Sequence, residues 1–371
     1  MKLSKNVLPI PAYFADALAT NKVEQLYIPD YGARAAEATE WALINNVTPA
    51  ASQDFDISLL AIDFQIAFAM TMGPLFVGGR SGRGAIEDTE RLIRFILQYG
   101  HLIKRIIATL DTHRAMAVFH AMFWVYKDGS HPDPSTQITV AMVKSGQIRI
   151  NPAIVGEMFG GNELYAYRYA MHYVTQLEVR GKQLLIVWPY HVILGGIDHA
   201  LVPLLHETIF FWEVARSTMR ENHVKGGHPL FENYSVVDTE VNTIPDPQDH
   251  MKSVQLVQSN TAFMKSLDRA DAILVPNQAR SHCGASSIED FGGKMYEQDP
   301  TVVQRIYLPT DMASDVVIPP NPAVNFPGLD FTDVGEAAYT KFAGMGMNVQ
   351  AFSDTPMWEW TGPIQQGWNN S

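Results

Sequence analysis

Ile106-Ile-Ala-Thr-Leu-Asp111-Thr-His113 is an apolar run that ends on a carboxylate and an imidazole. Three other runs share that character. Leu59-Leu-Ala-Ile62 stops at Asp63, Leu184-Leu-Ile-Val187 at Trp188 and His191, and Ala272-Ile-Leu-Val275 leads to Cys283. A fifth run covers residues 302–308. Unbroken apolar runs of this length suit parallel strands covered on both faces. They alternate with stretches of helical spacing at residues 86–99 and 197–221. The alternation predicts an α/β protein of three layers, a central parallel sheet between helices. Ligands of open parallel sheets bind beyond the carboxyl ends of the strands. The reactive residues, far apart in sequence, would therefore converge on one crevice.

Composition narrows the function. Of 371 residues, 47% are hydrophobic and 18% charged, which supports a large core and excludes a disordered chain. The formal net charge of -12, with no run of Lys and Arg, disfavours a nucleic-acid partner. A single cysteine rules out a disulfide within the chain and fits a reducing compartment. Residues 1–5 are not followed by an apolar stretch of signal-peptide type, and no segment has the apolar length of a membrane span. The expectation is a cytoplasmic protein with no membrane partner.

Several residues carry chemistry, each with a plainer reading beside it. Asp111 and His113, at i and i+2 as a strand ends, can face one side and suit a divalent transition metal. Two ligands are too few, and His191 is the third; the plain alternative is a hydrogen-bonded Asp–His pair. Cys283 is placed at the start of a helix over residues 283–291, where backbone N–H groups would lower its pKa. Its plain alternative is an inert buried thiol. Asp63, closing an apolar run, reads as a buried carboxylate that is either paired or functional. Lys225 alone reads as a solvated surface lysine. His199 and His206 read as ordinary residues of one helix. Gly78-Gly-Arg-Ser-Gly-Arg-Gly84 lacks the Gly-Lys-Ser/Thr ending of a phosphate loop and reads as a flexible loop at the pocket entrance.

In their order along the chain these stretches resemble the nicotinamidases of the isochorismatase-like cysteine-hydrolase superfamily. Asp63-Phe-Gln65 with Phe68, then Leu75-Phe-Val-Gly-Gly79, resembles the first strand and following loop. Asp111-Thr-His113 resembles the metal pair, and Trp188-Pro-Tyr-His191 the third ligand. Lys225-Gly226 with Tyr234-Ser235 resembles the catalytic-lysine segment, and Gln278-Ala279 with Cys283 the nucleophile turn. The resemblance covers about residues 56–316. It implies a cysteine amidohydrolase with Asp63, Lys225 and Cys283 as its triad. The backbone N–H groups of Ala279 and Cys283 would form an oxyanion hole, with a cis peptide before Ala279. Asp111, His113 and His191 would hold a divalent metal, zinc first, with manganese or iron as alternatives. Phe68 and Trp188 would flank a flat small-molecule amide, and the chain would form a homo-oligomer.

The sequence departs from that pattern at Ala67, Thr112, Val192 and Asn277, and in the long gap from His113 to His191. Thr112 stands where a bulky indole is usual and is expected to widen the pocket. The insertion, about residues 114–183, brings Phe123, Trp124 and Tyr126, which would form a lid or subunit contact, or fill core. Around the catalytic domain of residues 56–316 we expect an amino-terminal extension, 1–55, and a carboxy-terminal tail, 317–371, wrapping the domain or a subunit interface. Three other functions fit the residues: hydrolysis of a carbamoyl or ureido group, a zinc hydrolase with Cys283 as ligand, and a binding protein without turnover.

Overall fold

Ile57–Ala61 forms the first strand, β1, of the central sheet, and its five residues are all buried. The structure, a computed structural model, describes residues 5–180, 184–249, 251–320 and 328–369. Residues 1–4, at the chain start, and 321–322, in the proline-rich stretch that opens the tail, lie outside these. The remaining strands of the sheet are β2 (Arg105–Asp111), β3 (Glu221–Lys225), β4 (Ala272–Leu274), β5 (Ile306–Pro309) and β6 (Asn348–Gln350). Among the described residues they form a six-stranded sheet in the order β6-β5-β4-β1-β2-β3, every pairing parallel. The α/β prediction therefore holds, with helices on both faces.

Alternation along each strand builds the three layers, because successive side chains leave opposite faces. Ile57, Leu59 and Ala61 of β1, with Ala272 and Leu274 of β4, enter one core. That core also takes Ile86 and Leu92 of helix α2 (Gly84–Tyr99) and Leu204 and Ile209 of α4 (Pro203–Ala215). On the other face Leu60 and Ile273 share a second core with Tyr169 and Tyr173 of α3 (Glu163–Arg180). Ile288 and Phe291 of α5 (Ala285–Gln298) and Tyr339 of α6 (Thr332–Gly344) complete that second layer. At the amino-terminal end, α1 (Tyr31–Ile44) starts on Asp30, whose carboxylate accepts from the Ala33 N–H.

Two expectations are corrected, and one open reading is decided. The run at residues 184–187 is not in the central sheet: Leu185–Ile186 pairs antiparallel with Gln137–Ile138. Residues 197–221 are not one helix but a short turn at Ile197–His199, then α4, then the edge strand β3. His199 and His206 consequently lie on different elements. Phe123 and Trp124 are fully buried, and the Trp124 indole N–H donates to the Val118 carbonyl at 2.6 Å. They fill the second core rather than form a lid.

Candidate active site

The sheet order reverses between β1 and β4, the place where a crevice opens at the carboxyl ends of the strands. β1 delivers Asp63 there, in a left-handed backbone conformation (φ 56°) that Asp tolerates better than most residues. Asp63 is fully buried. Its N–H donates to Thr109 Oγ1 at 3.1 Å, and that hydroxyl donates back to Asp63 Oδ1 at 2.5 Å. The neighbouring strand end brings Asp111, clamped by Gln65: its N–H donates to Gln65 Oε1 at 2.7 Å, and Gln65 Nε2 donates to its carbonyl at 2.9 Å.

β3 pairs Lys225 directly with Asp111. The Lys225 ammonium lies 3.0 Å from Asp63 Oδ2, 3.0 Å from Asp111 Oδ1 and 3.5 Å from Cys283 Sγ, and donates to the Asn233 carbonyl at 3.0 Å. Its surface reading is thereby overturned. Burial works against its charge, but Asp111 and Asp63 more than offset that and hold its pKa well above the ordinary range. Asp63, Lys225 and Cys283 thus come together in one buried group.

The turn that holds Cys283 differs from expectation. Arg280–Gly284 is a wide π-helical turn, and α5 starts only at Ala285, so Cys283 precedes the helix rather than opening it. Gln278-Ala279 is a cis peptide, as the resemblance implied. The thiol is not acidified at rest. Burial, with the carboxylates of Asp63 and Asp111, pushes its pKa well up against the opposing charge of Lys225. Burial also raises Asp63, against the pull of Lys225. A neutral thiol beside a basic carboxylate is arranged for proton transfer from one to the other.

Asp111, His113 and His191 are all buried, and one ligand atom from each lies within 4.8 Å of the others. The donor chemistry fits a divalent ion. His191 Nδ1 sits 2.7 Å from the Pro189 carbonyl, which makes it the protonated nitrogen and leaves the Nε2 lone pair free. Burial keeps that ring neutral. His113 Nε2 is 2.9 Å from Asp111 Oδ2, and Asp111, offsetting burial, raises its pKa. Burial opposes the charge on Asp111, yet His113 and Lys225 prevail and hold its carboxyl far below the usual range. Gly226 makes the approach possible: at φ 80°, a Cβ there would stand 2.7 Å from Asp111 Oδ1 and 3.0 Å from His113 Nδ1. Cys283 is not a member of this donor group.

A pocket with a cavity volume of about 30 Å³ opens onto the thiol. Phe68 and Trp188 line it as expected, beside Asp111, His191 and Ala279. Thr112 does not line it; its hydroxyl lies 2.7 Å from His199 Nε2. Val77 and Leu75 reach the pocket because their N–H groups bond back to the carbonyls of Phe68 (2.8 Å) and Ala67 (3.2 Å). The glycine-rich stretch after them runs into α2, where Gly84 sits so close to Ser314 that a Cβ would be 2.3 Å from its hydroxyl. Tyr234, Glu232 and His282 also line the pocket. Sequence reasoning passed over the last two because a lone Glu in a loop and a His beside the cysteine carry no distinguishing pattern.

No family model matches the chain, and no curated protein matches it. Among solved structures it is similar to a yeast nicotinamidase bound to the inhibitor nicotinaldehyde, with TM-score 0.49 and 14% identity over 80% of this chain and 100% of that one. An Acinetobacter baumanii nicotinamidase/pyrazinamidase gives TM-score 0.46 and 16% identity, over 81% and 98% of the two chains. A Pyrococcus horikoshii pyrazinamidase in complex with zinc gives 0.40 and 14%, over 80% and 99%.

Proposed function

We propose that this protein hydrolyses a carboxamide C–N bond through a thioester on Cys283. The observation that carries the reading is the buried contact of Lys225 Nζ with both Asp63 and Cys283 Sγ, at the mouth of an apolar pocket. Asp63 takes the thiol proton as Sγ attacks the carbonyl carbon. Lys225, fixed between the two, compensates the negative charge that arises. The N–H groups of Ala279 and Cys283 receive the oxyanion. As the tetrahedral adduct collapses, Asp63 gives its proton to the departing nitrogen, and ammonia or an amine leaves. Water then attacks the thioester, Asp63 taking its proton, and the carboxylic acid departs as the proton returns to Sγ. The buried Asp111, His113 and His191 would hold a divalent metal, which when bound supplies a positive charge that orients a polar atom of the substrate or a water.

Nicotinamide is the first substrate to test, and carbamoyl and ureido compounds belong in the same panel. Ammonia release across the panel, for native protein and Cys283→Ala, decides the matter. Release by the native protein that disappears in the variant is the expected result. Activity in Cys283→Ala above a few per cent of native would rule out the covalent route.

A further inference from the structure

Three buried polar side chains that line the pocket have an atom without a protein partner, and the catalytic scheme uses none of them: Gln278, whose free Oε1 can only accept, and Glu232 and His282. Glu232 Oε1 accepts the Asn233 N–H at 3.1 Å, while Oε2 has no hydrogen-bond partner. His282 Nδ1 lies 2.9 Å from Ser281 Oγ, and His282 Nε2 has no partner. Both residues line the same pocket as the thiol, and both are more than nine-tenths buried. A buried polar group left unpaired is costly, so native proteins keep few of them without a reason.

The local bonding says what each free atom offers. The Val316 N–H donates to Ser281 Oγ at 3.1 Å, which leaves the Ser281 hydroxyl hydrogen for His282 Nδ1. Nδ1 is then the acceptor, and the hydrogen of the neutral ring sits on Nε2. Burial lowers the His282 pKa to about 4, which keeps the ring neutral. Burial raises the Glu232 carboxyl to about 8, so near neutrality it is mostly protonated. With Oε1 accepting from Asn233, the proton belongs on Oε2. Glu232 also stands outside the Asp111–His113–His191 donor group.

We propose that Glu232 and His282 are paired hydrogen-bond donors that select amides whose acyl part carries an acceptor oxygen, such as a ketone, ester or second carboxamide carbonyl. This rests on the reading that the pocket takes the acyl part of an amide. It adds a polar requirement to the flat amide expected between Phe68 and Trp188, because a site built to hydrogen-bond a polar group rejects the analogue that lacks it.

The test is binding without turnover, so it is independent of whether the native protein hydrolyses the probes. Metal-loaded, full-length Cys283→Ala is titrated calorimetrically with benzamides carrying an acetyl or a shape-matched isopropenyl group at the ortho, meta or para position. At one position at least, acetyl should bind roughly tenfold tighter or more. Adding Glu232→Leu or His282→Phe should bring that ratio towards one, and Glu232→Gln, which keeps a donor, should preserve it. Metal content should be unchanged in each. Equal or tighter isopropenyl binding at all positions, a ratio that survives both substitutions, or no binding by any benzamide overturns the proposal. So does loss of metal in Glu232→Leu, which would make Glu232 a ligand. Failure of the hydrolytic reading would show elsewhere, as absent ammonia release by the native protein.

Discussion

Lys225 is a charge inside a protein, and it is tolerable there only because Asp63 and Asp111 each stand 3.0 Å away. Replacing it with Met strands two buried carboxylates. Lys225→Met should lose turnover and about 3–5 kcal/mol of stability in urea unfolding, the cost of removing one partner of a buried ion pair. A variant as stable as the native protein would mean that the three groups are not coupled as described. Asp63 gives a second expectation. In the proposed mechanism its carboxylate is the base, and burial raises its pKa, so kcat/KM should climb with pH through a limb above the ordinary Asp value of about 3.9. An acid limb at or below that value would remove Asp63 from the role. These residues were legible in the sequence to different degrees. Asp63, Asp111 and Cys283 follow apolar runs and announce themselves. Lys225 does not, since its meaning comes entirely from carboxylates 162 and 114 positions away in the chain (225 − 63 and 225 − 111). Glu232 and His282 are visible only once the pocket has walls.

The strands that the sequence reveals are β1, β2, β4 and β5, which have neighbours on both sides and apolar faces above and below. The two it conceals, β3 and β6, are the edges of the sheet. Glu221-Asn-His-Val-Lys225 alternates between half-buried and exposed positions until the buried lysine, and Asn348-Val-Gln350 is nowhere fully buried. Edge strands need no continuous apolar run, so periodicity passes over them. β3 nevertheless carries the lysine, and the turn after it carries Gly226. Gly226→Ala forces a Cβ into the left-handed conformation and against Asp111 and His113. We expect a loss of more than about 1 kcal/mol in unfolding free energy, together with clearly reduced divalent-metal content by elemental analysis. Full metal content with native stability would place the metal, or the backbone of Gly226, elsewhere. The sequence leaves the insertion undecided for a related reason: aromatic residues look alike in sequence whether they cap a pocket or fill a core, and Phe123 and Trp124 do the latter.

The whole sheet serves to bring four separate strand ends to one crevice. β1 and β4, on either side of the reversal in strand order, lead to Asp63 and Cys283, the proposed base and nucleophile, and β2 and β3 bring Asp111, His113 and Lys225. His191 and Trp188 arrive differently. They lie on a segment outside the sheet, tied to the stretch that follows β2, where the His113 N–H donates to the Val192 carbonyl at 3.0 Å and the Trp188 N–H to the Phe119 carbonyl at 2.8 Å. The sequence could mark their chemistry but not that route, because two backbone bonds across a long insertion leave no trace in side-chain pattern. Among the described residues no helix is long and apolar enough to cross a membrane. The proposed mechanism requires a covalent bond between Cys283 Sγ and an acyl carbon. Rapid acid quenching of the native protein during turnover of an accepted amide, followed by intact and peptide mass spectrometry, observes that bond. Hydrolysis through a thioester predicts a mass increase equal to the acyl group, confined to the Cys283 peptide and absent from Cys283→Ala. Continued turnover with no acyl mass on Cys283 under any quench time, and a Cys283→Ala variant that still releases ammonia, would contradict it.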